Sequence, residues 1–83
     1  MLHIWFERLI ADDGSERVFA HIAADRVFGY AAEIKATIPK GVLVSVPPKL
    51  KPIDEWLVRK CGFKRIGTVE LDGEENAVLE KVE

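Results

Sequence analysis

Residues Leu2 to Ile10 carry large apolar groups on both sides of a two-residue repeat, which predicts a β-strand. Leu2, Ile4, Phe6, Arg8 and Ile10 fall on one face and His3, Trp5, Glu7 and Leu9 on the other, so at least part of each face should be covered. Asp12-Asp13-Gly14-Ser15 then supplies residues that accept positive φ or bond their own backbone, which is turn chemistry. Glu16 to Ala23 should therefore fold back as the second strand of a hairpin. From Asp25 the period changes. Val27, Ala31, Ile34 and Ile38 share one face of a helix, with Asp25 as its N-cap and Pro39 and Gly41 at its end. Gly41 to Val46 is an apolar, β-branched run broken only by Ser45, the pattern of a strand buried on both faces and parallel to a neighbour. Pro47-Pro48 stops it. A second helix follows, with Pro52 in its first turn, Ile53, Trp56, Leu57 and Lys60 down one side, and Gly62 as its C′ residue. Phe63 to Leu71 and Ala77 to Val82 make two strands around the turn Asp72-Gly73-Glu74-Glu75. The predicted fold class is α+β, a mixed sheet in the order β-β-α-β-α-β-β, and the β-α-β step should cross over right-handed.

The chain has 83 residues, 12 Lys+Arg and 14 Asp+Glu, for a net charge of −2. One domain spanning 1–83 is expected, with a thin core that a homodimer contact or a bound ligand would reinforce. The charge balance argues against a broad basic face for nucleic acid or an anionic membrane. No apolar run approaches the roughly 18 residues of a membrane helix, and a basic, then apolar, leader is not seen at the start. A soluble cytoplasmic protein is the expectation. The single cysteine, Cys61, makes neither an intrachain disulfide nor a cysteine-cluster zinc site, and His3 and His21 lack metal-ligand spacing.

The stretch Arg26-Val27-Phe28-Gly29-Tyr30-Ala31 lies where the second strand feeds the first helix. Outward-pointing N–H groups at such a junction can hold a pyrophosphate, Gly29 lets a ligand approach the backbone, and Ala31 keeps the first turn small. Further along, Trp56-Leu57-Val58-Arg59-Lys60-Cys61-Gly62-Phe63 is a helix ending in Gly-Phe that runs into a strand. In this order the two segments resemble the C-terminal half of the GNAT superfamily of N-acetyltransferases, from about Glu16 to the C-terminus. The resemblance implies that Arg26, Gly29 and Ala31 fit an [Arg/Gln]-x-x-Gly-x-[Gly/Ala] loop for the acetyl-CoA (or CoA) pyrophosphate, with Val27, Phe28 and Tyr30 between them. It implies transfer of an acetyl group from acetyl-CoA to an amine of a small molecule or protein.

Within that resemblance, Glu16 falls roughly where some members place a general base, and His21 on the same strand is a rival base. Val58 stands where many members carry a Tyr that protonates the leaving thiolate, and Lys51 stands near the Asn that often begins the helix. The N-terminal strand and two helices that build much of the acceptor side have no counterpart in these residues. The resemblance is therefore compatible with a second function, a non-catalytic GNAT-like module that binds a protein partner.

Four other features have simpler readings. Cys61 has Lys60 and Lys64 nearby but no adjacent base, as expected of a structural thiol. Lys49, Lys51, Arg59, Lys60, Lys64 and Arg65 form the densest basic group, by default a solvated face. Trp5, Phe6, Phe19 and Trp56 read as core, and Tyr30 suits packing as well as donation to a ligand.

Overall fold

In the computed structural model, which describes residues 1–83, the two N-terminal strands form the long hairpin that their alternation predicts. β1 (Leu2–Ile10) pairs antiparallel with β2 (Glu16–Ala24) from Leu2↔Ala24 to Ile10↔Glu16. The turn between them is fastened by Asp13, whose carboxylate accepts from the amide and the hydroxyl of Ser15 at 2.8 and 2.6 Å. After β2 come a single 3₁₀ turn over Val27–Gly29, α1 (Ala31–Thr37), and β3 (Leu43–Val46). A second 3₁₀ turn over Pro48–Leu50 leads into α2 (Lys51–Lys60), and β4 (Phe63–Leu71) and β5 (Glu74–Lys81) complete the chain.

The five strands form one mixed sheet in the order β1-β2-β3-β5-β4, with β2 and β3 parallel and every other pair antiparallel. The domain is thus a small α+β fold. Gly62 has φ +79 and ends α2 as predicted, while Asp72 (φ 51) and Gly73 (φ 79) make the tight turn of the β4–β5 hairpin. That turn needs only two residues, so β5 begins at Glu74 and not at Ala77.

Both helices cover the same face of the sheet. Ile34 of α1 and Ile38 just past its end, with Trp56 and Leu57 of α2 and Cys61 just past its end, join Ala20, Val42, Val44, Val46, Phe63 and Leu79 in one core cluster. Strand alternation puts Trp5, Leu9, Phe19, Leu43, Val78 and Val69 on the opposite face, which no helix covers. This corrects the core expected for the aromatic residues. Trp56 is buried, but Trp5 is 51% and Phe6 46% exposed, because β1 is an edge strand that the helices do not overlie fully.

α1 also begins later than its apolar spacing predicts. Asp25 does not cap it: its carboxylate accepts from the amide of Arg26 at 3.0 Å, from the Tyr30 hydroxyl at 3.4 Å and from the Met1 ammonium at 2.6 Å. Gly29, a poor helix former, closes a 3₁₀ turn instead, and the helix starts where Ala31-Ala32-Glu33 supplies good formers. Val27 still packs against the core, from the 3₁₀ turn and not from the helix.

Candidate functional site

The central feature is the junction of the two parallel strands. β2 and β3 meet at one register pair, Phe19↔Leu43, and then part. Over Ala20–Ala24 the edge of β2 that faces β3 has no strand partner, and β3 ends at Val46 because Pro47 offers no N–H to a ladder. Between the carboxyl ends of the two strands lies a cleft of about 500 Å³. Val44, Val46, Ile53 and Leu57 line it on the helix side, and Trp5, Phe19, His21 and Ala23 line it on the helix-free side. Ser45 and His21, each two residues beyond the paired register, stand on its two lips and are its main polar side chains. The cleft is therefore apolar with a few polar groups, the usual character of a small-molecule site.

The loop Arg26 to Ala31 leaves the end of β2 beside this cleft, and Val27 reaches into it. Two of the loop's amides are used internally: Gly29 donates to the Arg26 carbonyl at 2.9 Å and Tyr30 to the Val27 carbonyl at 3.1 Å. The amides of Val27 and Phe28 open the 3₁₀ turn and those of Ala31 and Ala32 open α1, so none has an acceptor within its own turn or helix. A Cβ placed on Gly29 would meet nothing within 4 Å, so the backbone there is open to an approaching group. The Arg26 side chain is exposed and has no acidic partner, whereas Phe28 is 55% exposed and sets its ring edge-on to Trp56 at 5.2 Å. Four free amides and an unpaired guanidinium suit an anionic oxygen-rich ligand, and the Asp25 charge is already engaged by its three donors.

The structure separates the two candidate bases. Glu16 sits at the far end of β2, opposite Ile10, and is paired with Arg8 at 2.6 Å, away from the cleft. His21 lines the cleft. Its Nε2 lies 3.0 Å from Glu7 Oε1, and its ring stacks on Trp5 with centroids 5.3 Å apart and planes 15° from parallel. Glu7 was not among the residues that the motifs single out. Its signal was nonetheless present, because strands 2–10 and 16–24 around a five-residue turn set Trp5 opposite His21 and Glu7 diagonal to it.

Other residues lie outside the cleft. Val58 is 40% exposed on α2 and Lys51 is on its first turn. Cys61 is fully buried, and desolvation pushes its thiol above the ordinary range although Lys81 and Lys35 oppose that. A buried protonated thiol is a packing group, not a nucleophile. Arg65 of the basic group contacts the buried Asp54 at 3.5 Å. No group of three His, Cys, Asp or Glu side chains is placed to hold a metal ion, and no helix is long and apolar enough to cross a membrane. No protein-family model matches the chain, and no curated protein or solved structure is significantly similar to it.

Proposed function

We propose that this chain is a GNAT-like domain that binds acetyl-CoA or CoA in the β2–β3 cleft and passes the acyl group to an amine. The observation that carries this reading is the parting of two adjacent parallel strands, with a loop of free amides leaving the end of the first. In open sheets that contain parallel strands, ligands bind in the crevice outside the carboxyl ends, where connections diverge. Arg26 and the amides of Val27, Phe28, Ala31 and Ala32 would hold the pyrophosphate, with Gly29 giving access to the backbone and Tyr30 holding Asp25 aside. The free edge of β2 suits the amides of an extended pantetheine arm, as it would suit an added strand. The apolar lining from Ala23 to Leu57 suits the thioester end. Acetyl-CoA supplies the activated acyl group, and the chain supplies position and a proton acceptor.

A second reading is a GNAT-like module without catalysis that binds a protein partner. The observation favouring it is the helix-free sheet face, where Trp5 and Leu9 are about half exposed, together with Val58 in place of a proton donor. Turnover separates the two readings, since cofactor binding alone is compatible with both.

Thermal unfolding with added acetyl-CoA tests the first step. At 100 times Kd, a site of this kind raises stability by about 2.7 kcal/mol. Arg26→Glu, Gly29→Asp and Ala23→Trp should each abolish the shift, because they reverse the charge, close the loop and fill the cleft. No shift at millimolar acetyl-CoA would overturn the cofactor reading and leave the fold intact.

A further inference from the structure

Within the acyl-transfer reading, on which this rests, we infer that Glu7 and His21 form the proton-accepting pair of the cleft. The amine they serve is a primary ammonium on an apolar stem, entering from the sheet face that carries no helix. Three contacts converge on one imidazole: a carboxylate 3.0 Å from Nε2, an indole stacked on one side of the ring, and the cleft itself. With Glu7 accepting at Nε2, that nitrogen carries the hydrogen, and Nδ1 keeps the lone pair that can take a proton. Glu7 orients the imidazole through this bond, and its half-exposed carboxylate is also open to the amine; His21 is the base.

The same residues specify the acceptor. Glu7 and Trp5 are both about half exposed, so an arriving ammonium meets a carboxylate and the face of an indole at the mouth of the cleft. The remaining charged or titratable groups on this face are His3 on β1, Arg17 toward the far end of β2, the opposed Glu80 and Lys64 of β5 and β4, and Glu74 at the distant start of β5. β3 presents Ser45 and Leu43, and neither helix contributes. Leu9 and Phe19, two residues from Glu7 and His21 respectively and on the same face, offer apolar contact to the stem.

The step balances without a further reactant. The ammonium gives one proton to Nδ1, and the nitrogen lone pair forms the new C–N bond to the acyl carbon. The C–S bond breaks with its electron pair on sulfur, and the thiolate takes the second proton from nitrogen. An amide, a thiol and an imidazolium result, and the imidazolium returns its proton to water.

The test uses the whole chain with n-pentylamine as acceptor and n-pentanol as uncharged control, after acetyl-CoA binding has been measured alone. Without acetyl-CoA, pentylammonium should shift the Trp5 indole and His21 ring resonances, pentanol should not, and Glu7→Gln should weaken the amine roughly tenfold in affinity. With acetyl-CoA, His21→Ala should lower acetyl transfer roughly 100-fold. Added imidazole should restore part of the rate, at acetyl-CoA concentrations that saturate the variant. Undiminished transfer in His21→Ala, or amine shifts away from Trp5 and His21, would overturn the inference while the cofactor reading stands. Absence of acetyl-CoA binding in the unaltered chain would overturn both, and that result is read before any amine is added.

Discussion

The Lys81 ammonium on β5 donates to the carbonyl oxygen of Ile38, just past the end of α1, at 2.6 Å. A second bond of 2.6 Å goes to the Lys35 carbonyl, so one buried cation satisfies two carbonyls that the helix end leaves without partners. This clamp ties the crossover helix to the middle of the sheet, and with it the path from β2 through the candidate loop to β3.

Removing the clamp should be costly. Lys81→Met keeps the stem but strands both carbonyls, and it should destabilise the fold by about 1–3 kcal/mol in urea unfolding. Burial holds the Lys81 pKa below the ordinary lysine range, with Lys35 adding to that. The folded chain therefore sheds this proton at lower pH than the unfolded chain does. Its contribution to stability is greatest above the ordinary lysine pKa and shrinks as pH falls through the lowered value. The stability difference between the unaltered chain and Lys81→Met should thus widen with rising pH in the alkaline range. A difference that narrows there would contradict the burial of the charge.

Gly62 and Gly41 provide a controlled comparison of two positive-φ glycines, at +79 and +89. A Cβ on Gly41 would meet open space, whereas one on Gly62 would lie 2.9 Å from Glu83 Cβ and 3.4 Å from Lys81 Cε. Gly41→Ala should cost about 1–2 kcal/mol from backbone strain alone. Gly62→Ala should cost more, and should also loosen the C-terminal residues, since the amides of Val82 and Glu83 both donate to the Gly62 carbonyl. Equal losses measured by denaturant unfolding would show that the Glu83 contact yields freely.

Asn76 on β5 is buried opposite Val69, and its side-chain oxygen has no hydrogen-bond partner. Asn76→Val removes that unsatisfied acceptor and places a β-branched residue in a strand. It should raise stability by about 1 kcal/mol. A loss of stability would mean that the amide makes a compensating bond with solvent.

Much of this architecture is legible in the chain. Gly62 closes α2 and the Asp72-Gly73 pair turns the last hairpin because positive φ is cheap for Gly and tolerated by Asp. The apolar run at Leu43–Val46 marks β3, and its parallel pairing with β2 follows from the intervening helix. The start of α1 is not legible from apolar spacing. Val27 keeps the periodicity while belonging to a 3₁₀ turn, and Asp25 finds partners that are distant in sequence or outside the helix. Nor is the parting of β2 from β3, which depends on how the crossover seats α1 on the sheet. Exposure of Trp5 and Phe6 follows from the edge position of β1, a property of strand order that a two-residue repeat does not encode. For the candidate site, the loop and His21 are readable as residues, whereas their shared cleft and the Glu7 contact arise from tertiary placement.

On the proposed reading, the parted parallel strands and the loop after β2 form one cofactor site. Its most direct test is a titration of isotope-labelled protein with acetyl-CoA, followed through the backbone amide resonances. Saturable shifts are expected at Val27, Phe28, Ala31 and Ala32, together with Ala20–Ala24 and Ser45–Val46. Arg26→Glu should weaken the whole set together. No shifts at millimolar acetyl-CoA, or shifts confined to the basic residues Lys49, Lys51, Arg59 and Lys60, would contradict it.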